Sequence, residues 1–235
     1  MLLAAVVLLT VLQLRKERPV ITCGEFSMTN TQLGYYYWSE FFYFADAYGD
    51  WLGDTVDWTV PLDQQAYDAD RSWQDYLLEE TLAVVTETES LVLQAQADGF
   101  VLSDGEEAAF EALWSELMAD AGDDPQAYLR QSFGRYADVD SYRQHLYHMQ
   151  LAAAYADHLY ADITLTEDEI AAYARRHGGE YLDAGLEEAL WAQQAEADLL
   201  AETYDGRIRA ICGSYDFWVD YDAIVLTPPD NLYQT

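Results

Sequence analysis

The densest chemistry in this chain is aromatic. In the stretch QLGYYYWSEFFYFADAY, residues 32 to 48, Leu33, Tyr37, Phe41, Phe44 and Tyr48 share one face of a helix, and Tyr35, Trp38 and Phe42 share another. Rings on two faces require burial all round or leave an aromatic strip open to solvent. Such a strip accepts many apolar side chains at low entropic cost, because rings are rigid and the polar edges of Tyr and Trp still form hydrogen bonds. Tyr35, Tyr36, Trp38, Phe41, Phe42 and Trp51 are therefore the candidate peptide-binding residues, and an acidic rim around them would favour basic segments.

Other constellations point to less. His145 and His148 lie three apart on one predicted helix and His158 follows ten residues later, but the HExxH and Glu-x-x-His patterns of helical metal sites are missing. Asp46, Asp50, Asp54 and Asp57 crowd one segment without the central Gly and terminal Glu of a calcium loop, so no metal is expected. Neither Cys23 nor Cys212 has a partner at zinc-finger spacing; they are two small thiols or, if the chain ends meet, one disulfide. The sequence carries no nucleophile elbow, GxGxxG or P-loop, so neither a cofactor nor catalysis is expected.

Charge narrows the partners. The 235 residues carry 43 acids and 11 bases, a formal net charge of −32, and a surface of that sign repels nucleic acid. Three of the bases fall in Arg15-Lys16-Glu17-Arg18, behind the apolar run Leu2 to Leu14. That run is short for a bilayer span and has the length of a signal-peptide core; it is expected to act as an uncleaved membrane anchor over residues 1–18. The basic cluster taken alone would hold the body in the cytoplasm. A hydrophobic content of 51% is ample for a packed core.

The elements that must position the rings are mostly helical. Pro19 to Cys23 reads as a short strand closed by Gly24-Glu25, and Thr29-Asn30-Thr31 caps a helix expected to stop at Gly49-Asp50. Trp51 to Tyr67 reads as an ordered loop, and a long helix is predicted over Asp68 to Asp98 with Gly99 as its C-cap. Ser103 with Glu106 and Thr166 with Glu169 are capping-box pairs. Asp124-Pro125 opens a short helix, and Asp138 or Asp140 opens one with Leu146, Met149 and Tyr155 facing inward. The helix after Thr166 is expected to end at Gly178-Gly179, before a last long helix from Leu186 to Ile211. Alternation over Phe217 to Leu226 predicts a strand. Two isolated strands cannot stand alone in water, so the two terminal strands should pair. The expected fold class is mainly α, a helical bundle with a small two-stranded sheet formed by the N- and C-terminal strands.

This order of elements resembles the amino-terminal region of SurA/PrsA-type extracytoplasmic foldases. The resemblance lies in VITCGEFSMTNTQLGYYYW (20 to 38), LVLQAQADGFVLSDGEEAAF (91 to 110) and ITLTEDEIAAYARRHGGEYL (163 to 182), with a returning helix and strand in LLAETYDGRIRAICGSYDFWVDYDAIVL (199 to 226). It implies a chaperone domain over residues 19–182, a segment 183–227 packing back on it and a tail 228–235. It also implies an N-terminally anchored location on the extracytoplasmic side of the membrane, with unfolded or secreted polypeptides as partners. Between Leu182 and Leu186 there is no room for the parvulin prolyl-isomerase domain of that family, so its activity is not carried over. The competing expectation is a scaffolding helical protein that docks one envelope partner.

Overall fold

The computed structural model describes residues 18–230 apart from Asp54, together with Leu232. The Leu2 to Leu14 run expected as an anchor lies outside the described residues. Among the described residues no helix is long and apolar enough to cross a membrane.

The chain opens with a hairpin of β1 (Pro19–Cys23) and β2 (Phe26–Thr29). Seven α-helices follow among the described residues. They are α1 (Asn30–Leu52), α2 (Trp73–Asp98), α3 (Asp104–Ala121), α4 (Pro125–Phe133), α5 (Val139–Ala161), α6 (Glu167–Asp183) and α7 (Trp191–Cys212). A short strand β3 (Trp218–Val219) then returns to the hairpin. The fold is mainly α, as expected.

The helix starts follow from local chemistry. Thr29 with Gln32, Ser72 with Asp75, Ser103 with Glu106 and Thr166 with Glu169 each form a reciprocal capping box, the side chain of one residue closing on the backbone N–H of the other. Asp124 and Asp138 cap α4 and α5, and Pro125 takes the first turn of α4, where its missing N–H costs nothing. Gly99 ends α2 in the left-handed conformation at φ 69°.

Packing centres on α2, which touches α1, α5 and α7. One core cluster joins Leu91, Val92 and Ala95 of α2 to Leu151 and Tyr155 of α5 and Ile208 of α7. A second gathers Tyr37, Trp38 and Phe41 of α1 with Leu77 and Trp73 of α2, and a third sets Val20, Ile21 and Met28 of the hairpin on Leu33, Tyr36 and Val85. Helix α6 lies against α7 through Tyr173, Tyr181 and Ala195.

The terminal strands pair as expected: Ile21 stands opposite Val219 and Thr22 opposite Trp218, antiparallel. The sheet, however, has three strands in the order β2-β1-β3. Phe26–Thr29 was concealed by its brevity and by the helix cap at its end. The carboxy-terminal strand is also shorter than the alternation suggests. After Val219 the chain turns into a 3₁₀ segment, Tyr221–Ala223, and Asp220 N–H makes the last bond to the hairpin, 2.8 Å to Val20 O.

Other boundaries move for physical reasons. Helix α1 runs through Gly49-Asp50 to Leu52, which is buried in the second cluster, so core packing overrides the glycine. Helix α2 begins at Trp73 rather than Asp68, because the Asp68 carboxylate accepts from the backbone N–H groups of Asp70 and Arg71 and holds those residues in a turn. Gly178-Gly179 does not end α6. A Cβ on Gly178 would lie 2.7 Å from the Trp191 ring, so this glycine is a notch for an indole. Met149 faces solvent rather than the core. Cys23 and Cys212 are free thiols, and burial followed by the charge of Glu87 pushes the Cys212 thiol above its ordinary range.

Candidate functional site

The aromatic helix divides along its length. In its first half, rings on all sides are covered. Tyr35 packs edge-on against Phe133 and Tyr142 and exchanges hydrogen bonds with the Asp138 backbone and Ser141. Tyr36 reaches Glu89, the Trp38 indole donates to Thr227 O at 2.9 Å, and Phe41 lies against Trp38 and Trp58. Tyr35, Tyr36, Trp38 and Phe41, expected as ligand-facing, are therefore core residues: α4, α5, the hairpin and the carboxy-terminal segment all converge on this half of α1. Phe42 is 40% exposed but does not line the cleft formed by the second half of the helix.

The second half is open. Tyr43, Phe44, Tyr48 and Trp51 of α1 face Trp73 and Tyr76 of α2 and Tyr67 of the intervening loop across a cleft of about 880 Å³. Leu52 and Leu77 complete its apolar floor. The rings form a connected set. Phe44 lies 5.2 Å from Tyr48, 5.9 Å from Trp73 and 6.1 Å from Tyr76, and Tyr67 stacks on Tyr76 at 4.3 Å. Trp51 and Tyr43 are 80% and 68% exposed, which is far beyond what a core ring needs. Of the six residues expected from sequence, Trp51 alone lines this groove.

The groove is lined by charges of both signs. At its loop end Arg71 pairs with Asp68 and Glu79 and lies 5.1 Å over the Tyr67 ring, so that cation is already neutralised and stacked. Glu40 of α1 and Glu80 of α2, the residue after Glu79, also line the groove. Partial burial, and then the charge of Glu80, raises the Glu40 carboxyl above its ordinary range. Sequence reasoning missed Tyr43, Tyr48, Tyr67, Trp73, Tyr76 and both glutamates. The signal was an antiparallel hairpin of α1 and α2, which sets Phe44 opposite Trp73 and Tyr76.

The histidines belong elsewhere. His148 Nδ1 sits 3.2 and 3.0 Å from the two oxygens of Glu89, beside a cavity of about 80 Å³, and His158 stacks on Phe100. His145 is buried edge-on to Tyr36, and desolvation drops it to about 3, so it is neutral. Asp46 and Asp50 lie on α1, Asp57 is engaged by the Thr59 N–H and hydroxyl, and Asp54 lies outside the described residues. Among the described residues no group of three or more His, Cys, Asp or Glu side chains is arranged to hold a metal ion. No family model, curated protein or solved structure matches this chain.

Proposed function

We propose that this protein is a chaperone-like binding module that holds unfolded or secreted polypeptides in the α1/α2 groove, tethered outside the cytoplasmic membrane, without isomerase catalysis. The observation that carries the reading is the open cleft walled by Tyr43, Tyr48, Trp51, Tyr67 and Tyr76. A chain that leaves Trp51 and Tyr43 so exposed keeps apolar area available for a partner. From Glu40 to Trp51 the groove follows α1 for roughly 16 Å at the helical rise. An extended chain covers that length with about five residues. The amino-terminal resemblance to SurA/PrsA-type foldases supports the same reading, and the strongly acidic surface keeps a sticky groove soluble.

The test is suppression of aggregation of a chemically denatured protein by the wild-type chain and by Tyr43→Ser/Trp51→Ser. The wild type should suppress and the variant should lose most of the effect while retaining its helical circular dichroism. Equal behaviour of the two, or no suppression by either, would remove the groove from the account.

A further inference from the structure

The groove offers more hydrogen-bond donors than acceptors, and that imbalance specifies a ligand. We infer that it binds proline-rich polypeptide segments in the polyproline II conformation, their pyrrolidine rings laid on the aromatic walls and their carbonyls turned towards the ring donors. This rests on the polypeptide-binding reading above and adds the class of segment preferred.

Four observations carry it. First, Tyr43, Tyr48, Trp51, Tyr67, Trp73 and Tyr76 all line the groove, and each ring carries an O–H or N–H. Among the described residues none of these donors has a hydrogen-bond partner, whereas Tyr35, Tyr36 and Trp38 in the sealed half of α1 all have theirs. The acceptor side chains are fewer: Glu40, Thr55, Asp68 and Glu80, of which Asp68 is already taken by Arg71. An ordinary segment brings an N–H with every C=O, and the N–H groups turned to this wall would find few partners; a proline brings a carbonyl alone. A helical ligand, its backbone bonds closed internally, would leave the ring donors unmatched. Second, Trp73 is only 5% exposed and its indole N–H is buried without an acceptor, which a ligand carbonyl drawn in beside it would supply.

Third, Tyr43, Tyr48 and Trp51 present exposed ring faces, flat apolar surfaces against which a rigid pyrrolidine packs. Proline-rich chains already hold the polyproline II form before binding, so little order is lost. At a rise of about 3.1 Å per residue, the roughly 16 Å that the groove follows along α1 takes about five residues, more than one turn of this threefold helix. Fourth, the lining sets Glu40, Asp68 and Glu80 against Arg71, and the chain as a whole carries −32, so a proline-rich segment flanked by lysine or arginine complements this surface and an acidic one is repelled.

The experiment uses the full chain and fluorescein-labelled nonapeptides with the same terminal lysines and leucines and with either proline or alanine at all remaining positions, binding being read by fluorescence anisotropy. The proline peptide should bind about tenfold more tightly than the alanine peptide. Tyr43→Phe/Tyr48→Phe/Tyr67→Phe keeps the rings and removes hydroxyl donors; it should lose about fivefold or more in affinity for the proline peptide while retaining its helical circular dichroism. In the control Tyr128→Phe/Tyr160→Phe/Tyr221→Phe, which removes exposed hydroxyls outside the groove, that affinity should persist. Equal binding of the two peptides to the wild type, or tighter binding of the helix-forming alanine peptide, overturns the proline preference and leaves groove binding standing. So does an unchanged affinity in the groove variant, or an equal loss in the control. Failure of both peptides to bind overturns both readings.

Discussion

The Tyr36 hydroxyl donates to Glu89 Oε1 at 2.9 Å, at a carboxylate that is only 2% exposed. The bond crosses from α1 to α2, and His148 of α5 approaches both oxygens of the same group, so three helices are tied at one buried acid. A hydrogen bond to a charged acceptor contributes about 1.5–3 kcal/mol, against about 0.5–1.5 for a neutral one. Tyr36→Phe should therefore cost about 1.5–3 kcal/mol in the wild type and about 0.5–1.5 in a Glu89→Gln background. Urea denaturation of the four proteins measures both numbers. Identical losses in the two backgrounds would mean that the charge on Glu89 has no part in holding α1 to α2.

His145 makes stability depend on pH in a definite direction. It is enclosed by Tyr35, Tyr36 and Tyr142 with His148 nearby, and burial, then the charge of His148, lowers it from 6.5 to about 3. Between those values the unfolded chain takes up a proton that the folded chain refuses, so stability falls with decreasing pH, by up to about 1.4 kcal/mol per unit. The raised carboxyl of Glu40 works in the opposite sense, favouring the fold when protonated, and Tyr35 and Tyr142, pushed up to about 12, titrate far from this window. The denaturation midpoint of His145→Phe should accordingly fall less steeply from neutral to mildly acid pH than that of the wild type. Parallel curves would exclude a neutral His145 in the native state.

Two tryptophans of one core cluster should respond differently to the same change. The Trp38 indole N–H has an acceptor in Thr227 O, while the buried Trp73 indole N–H has none among the described residues. Replacement by Phe removes similar ring area at both positions. At position 38 it also breaks a bond and strands a carbonyl; at position 73 it deletes an unsatisfied donor, which relieves roughly 1–3 kcal/mol. Trp38→Phe should therefore be the more destabilising, read as a larger drop in urea midpoint. Equal drops would place an acceptor on Trp73.

What could be read from the sequence was what is decided within a few residues. Ser103 and Glu106, Thr166 and Glu169, Asp124 and Pro125 close their turns on one another, so the starts of α3, α6 and α4 were visible without knowledge of the rest. The partners of the aromatic residues are remote: Tyr36 meets Glu89 53 positions away, and Trp38 meets Thr227 across 189. Which rings of α1 are sealed and which are open is set by where α4, α5 and the carboxy-terminal segment come to rest, information that periodicity does not hold. For that reason the pattern places the helix but does not separate the buried rings of Tyr35 and Trp38 from the exposed rings of Tyr43 and Tyr48. Gly178 shows the same limit, since its notch exists only because Trp191 fills it.

Gly134 offers a test of how the carboxy-terminal segment seals that core. It ends α4 with φ 82°, and a Cβ there would stand 2.5 Å from Thr227 O and 2.9 Å from Pro228 O. These are backbone atoms, and Thr227 O is held by the Trp38 indole, so no side-chain rotation can relieve the contact. Gly99 has a similar φ of 69° with open space where its Cβ would go. Gly99→Ala should thus cost only the left-handed backbone penalty, about 1–2 kcal/mol. Gly134→Ala should cost more, because its ψ of 172° lies in a region essentially reserved for glycine and because Thr227 and Pro228 must move off the end of α4 and take the Trp38 acceptor with them. The comparison is read as urea midpoints for the two variants, with hydrogen exchange at the Trp38 indole as the local probe. Faster indole exchange in Gly134→Ala alone is the expected result. Matching midpoints and unchanged exchange would show that the Thr227–Pro228 segment does not press on Gly134 in solution.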